Sequence, residues 1–255
     1  MNQDYHILKQ DLRMLGLKKG DAVLIHSSYK SMGGLEGGIE TFIDAIMAVI
    51  GDTGTLIAPT LTFRDVTETN PIFDYVNTPS CVGAISEFVR NMEDARRSIH
   101  PTHSCTCYGY KQDWYAQGHE DDCTPVGKNS PIYKLREDGG KVLMLGCKLG
   151  SNTSMHGVEE CFPTSYVLPE TPSPYTIILP EKTYDVDFYR HHIHQNGYTQ
   201  RYDRLENVLD TRYMPKGKIH GAVSWLIDDP AMWNAALKAL QKDEFYFVDK
   251  ITDGL

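Results

Sequence analysis

The sequence predicts an α/β protein with a mixed central sheet flanked by helices, and three observations carry that reading. Apolar runs of strand length recur at residues 22–25, 55–58 and 142–145. Between the first two, Ile39, Phe42, Ile43, Ile46 and Ile50 fall on one face of a helix. The resulting order of strand, loop, helix, strand favours parallel neighbours covered by helices, because parallel strands need a crossover connection.

Taken in order, Leu8, Leu12 and Leu15 recur at helical spacing, and Gly16 stands where a glycine ends a helix. A buried strand at 22–25 leads into a polar, glycine-rich loop over 26–38, and the next helix stops at Gly51. Residues 60–79 keep no period and carry two prolines, which reads as a long functional loop. A helix is expected over 83–92 and a strand over 104–108. Ser130-Pro131 supplies an N-cap followed by a proline at the first helical position. A strand over 141–145, a helix over 152–160, a strand over 219–227 and a helix over 230–240 capped by Asp228 or Asp229 complete the expectation. No repeat or shift in composition divides residues 1–255, so one domain is expected.

With 255 residues and 41% hydrophobic content, the chain can bury a large core. Its formal charge of −9 argues against a nucleic-acid partner and suits a small cationic one. No apolar run approaches the roughly 20 residues of a membrane-spanning helix. The opening Met1-Asn2-Gln3-Asp4-Tyr5-His6 has neither a basic nor an apolar leader pattern, so a cytoplasmic location is expected. Six scattered cysteines without a C-x-x-C pair read as reduced thiols. A homodimer is compatible with the sequence, which does not specify one.

Three segments carry chemistry. Val23-Leu24-Ile25-His26-Ser27-Ser28-Tyr29-Lys30-Ser31-Met32-Gly33-Gly34 is a strand ending in hydroxyls and glycines, a pattern that can hold phosphate oxygens; a turn with capping serines gives the same pattern. Arg96-Arg97-Ser98-Ile99-His100-Pro101-Thr102-His103-Ser104 could meet a cofactor phosphate or form a surface ion pair beside a rigid turn. In Thr153-Ser154-Met155-His156-Gly157-Val158-Glu159-Glu160, His156 and Glu159 share a helical face. A carboxylate-held histidine is the kind of base that acyl transfer to an amine needs near neutrality. A surface ion pair has the same spacing, and H-x-x-E is not the H-E-x-x-H zinc signature.

In this order, the segments resemble the aminoglycoside 3-N-acetyltransferase family over nearly the whole chain. The resemblance runs through Gly20-Asp21, His26-Ser27-Ser28, Gly37-Gly38-Ile39 and the stretch GDTGTLIAP at 51–59. It continues through Arg97-Ser98-Ile99-His100-Pro101, Ser104, Ser130-Pro131, the strand over 143–146 and residues 153–159. It implies the mixed α/β fold of that family, with two fused lobes and acetyl-CoA held between them as cosubstrate, and no metal. On this resemblance Ser27, Ser28, Tyr29, Gly33, Ser98 and Ser104 are expected along the cofactor channel, and His156, aided by Glu159, takes a proton from a cationic amine substrate. Members of the family often carry an acid a few positions before Asn-Gly. Here the aligned position in Tyr189-Arg190-His191-His192-Ile193-His194-Gln195-Asn196-Gly197 is His192, which with Asp187 is expected to face the substrate. Gly157-Val158 is a second departure, since bulkier residues are common there.

Three further readings stay open. The protein could be a CoA-binding member with a different or lost amine substrate. A zinc hydrolase could use His191, His192 and His194, because H-x-H on a strand points two rings to one side, with Asp185, Asp187 and Asp203 nearby. Cys105 or Cys107 could accept an acyl group with His100 or His103 as base, although the alternation of Ser104-Cys105-Thr106-Cys107-Tyr108 makes at least one thiol a packing group.

Overall fold

A computed structural model describes residues 2–252. The strands, in chain order, are β1 (Ala22–Ser27), β2 (Thr55–Pro59), β3 (Ile72–Asp74), β4 (Arg96–Arg97), β5 (Cys105–Gly109) and β6 (Lys141–Leu145). The later half adds β7 (Ser173–Ile178), β8 (Thr183–Phe188), β9 (Tyr198–Gln200), β10 (Lys216–Ile219), β11 (Ala222–Asp228) and β12 (Val248–Lys250). The helices are α1 (Gln3–Leu15), α2 (Gly38–Ile50), α3 (Ala84–Arg90), α4 (Gln112–Ala116), α5 (Pro131–Glu137), α6 (Ser154–Cys161) and α7 (Asp229–Leu240).

The expected mixed sheet forms, in the order β10-β11-β6-β1-β2-β5-β4. Its centre is parallel: β1 pairs with β2 on one side and β6 on the other. Its flanks are antiparallel. Alternation along the central strands gives two apolar faces. Leu24, Val142 and Met144 pack with Tyr115, Ile132, Met155, Val158 and Trp233 from α4 to α7. Val23, Ile25, Leu143 and Leu145 pack with Leu8, Leu12, Phe42, Ile46 and Ile85 from α1 to α3. This double cover explains why the central strands read as continuous apolar runs rather than alternating ones.

Asn2 caps α1 by accepting from the Tyr5 N–H at 3.0 Å, and Gly16, at φ +116°, ends it. The expected strand over 219–227 is instead a hairpin, β10 and β11, turned at His220 (φ +46°) and Gly221 (φ +81°). Two consecutive left-handed residues make the tight turn that matches strand twist. Histidine is a weak sequence signal for such a turn, so the break was hidden. Residues 60–79 are the expected long segment, with β3 inside it. β3 joins the β7–β8 hairpin in a small sheet, and β9 pairs with β12 in another. None of the described helices is long and apolar enough to cross a membrane.

Candidate active site

The chain leaves β6 through a short turn at Leu149–Ser151 and enters α6, so the start of α6 lies beside the carboxyl end of β1. Crevices at such strand ends, where neighbours run to both sides, are the usual ligand sites of α/β sheets. His26, near the end of β1, accepts from the Thr153 backbone N–H at 3.3 Å, and its Nε2 lies 3.2 Å from the Thr153 hydroxyl. Burial lowers this imidazole to about 3, so it stays neutral. On the opposite side, Ser154 Oγ donates to Asp229 Oδ1 at 2.6 Å and accepts from Trp233 Nε1 at 2.8 Å. These bonds tie α6 to α7 and set the helix on which His156 rides.

His156 Nδ1 lies 2.9 Å from the Tyr202 hydroxyl and 3.3 Å from Glu159 Oε2. Tyr202 donates its own proton to Glu159 Oε2 at 2.6 Å, and Tyr166 donates to Glu159 Oε1 at 2.9 Å. Glu159 is wholly buried, so its carboxylate depends on these donors. Because the Tyr202 proton is committed to Glu159, its oxygen can only accept from the imidazole. That places the histidine proton on Nδ1 and leaves a lone pair on Nε2, which the Gln200 side-chain nitrogen meets at 3.5 Å.

Beyond His156 lies a cavity of about 270 Å³, lined by Phe63, Thr102, His103, Arg190, His191, Tyr198 and Gln200 among others. The His156 and His191 rings are 4.2 Å apart, and the His103 ring lies 4.6 Å from His191. Burial, reinforced by the neighbouring histidines and Arg190, holds His103 and His191 well below the ordinary imidazole value. His191 Nε2 meets Glu160 Oε1 at 2.6 Å; Glu160, which also accepts from the Val126 N–H, is raised by burial to about 7.

The structure brings His156 and Glu159 together and separates other expected site residues. Ser27 lines a second cavity of about 220 Å³ with His26, Cys147, Ser151 and Thr153. Ser28 begins the turn at Tyr29–Met32, its carbonyl accepting from the Ser31 hydroxyl; Tyr29 packs against the α1–α2 face, and Gly33, at φ +76°, closes that turn. Ser98 and Ser104 are fully buried and engaged internally. Ser98 Oγ accepts from the Cys105 N–H and meets His119 Nδ1, while Ser104 Oγ accepts from Arg97 and donates to the Thr60 carbonyl. Arg97 is buried as well, lowered by burial to about 10, and binds the Tyr75 and Thr78 carbonyls. Arg97 is therefore an internal strut, whereas Arg96, exposed beside it, makes the surface ion pair, with Asp113 at 3.1 Å.

His192 pairs with Glu68 at 3.2 Å, and Asp187 is exposed on β8; neither lines the His156 cavity. The trio His191, His192 and His194 does not assemble as a metal site. Residues 193–197 turn rather than extend, so the two rings of H-x-H lose their common side. Cys105 and Cys107 are both buried on β5, where burial pushes the first thiol up to about 12 and the second well above its ordinary value. A buried thiol held protonated is a poor acyl acceptor. Sequence reasoning missed Tyr202, Tyr166, Gln200 and the cavity role of His103, since only His103 sits in a segment with a visible signal.

A family model described as aminoglycoside 3-N-acetyltransferase matches residues 24–241. Aminoglycoside N(3)-acetyltransferase III of Acinetobacter baumannii is 32% identical over 168 residues, 60% of this chain and 58% of that protein. The SPbeta prophage-derived aminoglycoside N(3')-acetyltransferase-like protein YokD of Bacillus subtilis (strain 168) is 29% identical over 181 residues, 63% of this chain and 66% of that one. The matched region thus spans less than two thirds of these relatives. Among solved structures, a mutant of aminoglycoside acetyltransferase AAC(3)-IVa in complex with a gentamicin superposes with a TM-score of 0.81 at 25% identity, covering 95% of this chain and 90% of that one. AAC-IIIb, in a binary complex with CoASH, superposes at 0.77 with 25% identity and 98% of both chains covered.

Proposed function

The chain belongs to the aminoglycoside 3-N-acetyltransferase family, and on that premise we propose that it transfers the acetyl group of acetyl-CoA directly to an amine of an aminoglycoside or related molecule. The observation that carries this reading is the Glu159–Tyr202–His156 relay, which leaves Nε2 unprotonated beside the cavity. The substrate amine attacks the thioester carbonyl carbon, His156 Nε2 takes the proton the nitrogen loses, and the carbon–sulfur bond breaks to release the CoA thiolate. Glu159, through Tyr202 and its own contact, stabilises the imidazolium that results. The pantetheine arm enters by the Ser27 cavity and the amine by the His156 cavity, which approach each other across the first turn of α6. The relatives solved with CoASH and with a gentamicin support this choice of substrates.

The test is His156→Ala, with acetylation followed as CoA release and acetyl-CoA binding by calorimetry. Removal of a general base is expected to slow turnover by ~100- to 10,000-fold while binding persists. Full activity in the variant would remove His156 from the reaction. A second reading concerns the amine. Among the described residues the cavity lining holds Arg190 and no carboxylate, which favours an amine with fewer charges than an aminoglycoside. A panel of aminoglycosides and simple monoamines, compared by kcat/KM, separates the two.

A further inference from the structure

Three imidazoles converge on the cavity, and acetyl transfer as proposed uses only one. One ring nitrogen from each of His103, His156 and His191 lies within 4.8 Å of the other two. Each ring is held at one nitrogen: His103 Nδ1 by the Thr102 hydroxyl at 2.9 Å, His156 Nδ1 by Tyr202 and Glu159, and His191 Nε2 by Glu160. What remains is His103 Nε2, His156 Nε2 and His191 Nδ1. The last is buried without any hydrogen-bond partner, on a side chain only 8% exposed.

We propose that His103, His156 and His191 form a binding site for one divalent transition-metal ion of the zinc class, with its fourth position open to the cavity. Three neutral imidazoles and an open position are a known donor set for such ions. Histidine ligands regularly rest their second nitrogen on a carboxylate or hydroxyl, which orients the ring and raises its basicity; all three rings here have that support. An orphaned buried ring nitrogen costs free energy that a metal bond would recover. Tetrahedral bonds of about 2.1 Å require nitrogens about 3.4 Å apart, so the rings draw inward by rotation on binding. The site differs from the H-x-H arrangement: His192 faces Glu68 and His194 is exposed.

The functional consequence rests on the acetyl-transfer reading. An ion on His156 Nε2 occupies the lone pair that takes the amine proton, so filling the site inhibits acetylation and chelation restores it. The test uses the full chain, stripped with chelator, then titrated with zinc by calorimetry and with cobalt(II) by visible absorption, where a tetrahedral nitrogen site gives intense bands. One ion per chain is expected, with binding lost in His103→Ala and in His191→Ala, weakened about 10- to 100-fold in Glu160→Gln, and kept in His192→Ala. Circular dichroism melts verify that the variants fold. Less than a tenth of an equivalent retained after gel filtration, or equal binding in folded His103→Ala, overturns the site. Acetylation should fall in proportion to the filled fraction. A filled site with undiminished acetylation would leave the metal site standing and refute the base role of His156; an unfilled site with an inactive His156→Ala would do the reverse.

Discussion

A neutral histidine serves as a base only while its lone pair faces the proton it is to take, and at His156 Tyr202 governs that orientation. Tyr202→Phe removes one bond to Nδ1 and one to Glu159, which is otherwise left with Tyr166 and the imidazole itself. Loss of a bond of about 1–1.5 kcal/mol predicts a fall in kcat of about 10-fold with little change in KM. Steady-state kinetics across pH measure it: a purely structural tyrosine would lower the melting temperature without moving kcat or its pH profile. The spacing of His156 and Glu159 was visible in the sequence because three residues make one helical neighbour pair. Tyr202 was not, since it arrives from a short turn distant along the chain.

At the scale of elements, the Gly157 departure finds its reason in the contact between α6 and α7. A Cβ at Gly157 would sit 2.5 Å from the Trp233 ring and 2.7 Å from Val126. The indole is pinned by its bond to Ser154, so it cannot easily yield. Gly157→Ala is expected to destabilise by about 1–3 kcal/mol, and by clearly less in a Trp233→Leu background, as chemical denaturation of the double-mutant cycle would read. The cap of α7 is a simpler case. Asp228 accepts from the Ala231 N–H at 2.9 Å, so Asp228→Ala should cost about 1 kcal/mol.

The β10–β11 turn clamps α1. His220 sits between the Met32 carbonyl and the Asp4 carboxylate, at 2.8 and 3.1 Å, and both ring nitrogens donate when it is charged. Burial pulls its pKa down, but these two acceptors outweigh burial and raise it above 6.5. The clamp is therefore fully formed below the ordinary histidine value and lost as pH rises through the raised one. His220→Gln should lower the melting temperature by about 1–3 °C at pH 6 and by much less at pH 9.

Across the whole molecule, burial sets the response to acid. His26, His100, His103, His119 and His191 are held neutral in the folded state, mainly by burial, at about 3 for His26 and His119. A histidine depressed in this way contributes stability above its ordinary value that is lost as pH falls toward the folded-state value. Glu160 and Asp229, raised to about 7, and Asp122, also raised, act with the opposite sign over the same range. Five groups outweigh three, so the melting temperature should decline steadily between pH 6.5 and 4. A flat or rising profile over that window would mean the histidines are not buried as described.

The sequence by itself determined the α/β class, the three central strands, the helices at both ends and the pairing of His156 with Glu159. These follow from apolar periodicity, caps and spacings that act over a few residues, and from an ordered set of motifs. Only the tertiary structure decided that Ser98 and Ser104 brace the interior, that Tyr202 sets the His156 tautomer, and that His191 and His103, rather than His192 and His194, bring a ring nitrogen close to that of His156. The reason is physical. Whether a polar side chain is a ligand or a strut depends on which distant backbone groups reach it, and that is settled when a turn at 193–197 or a buried crossing at Arg97 sends one ring inward and another to solvent.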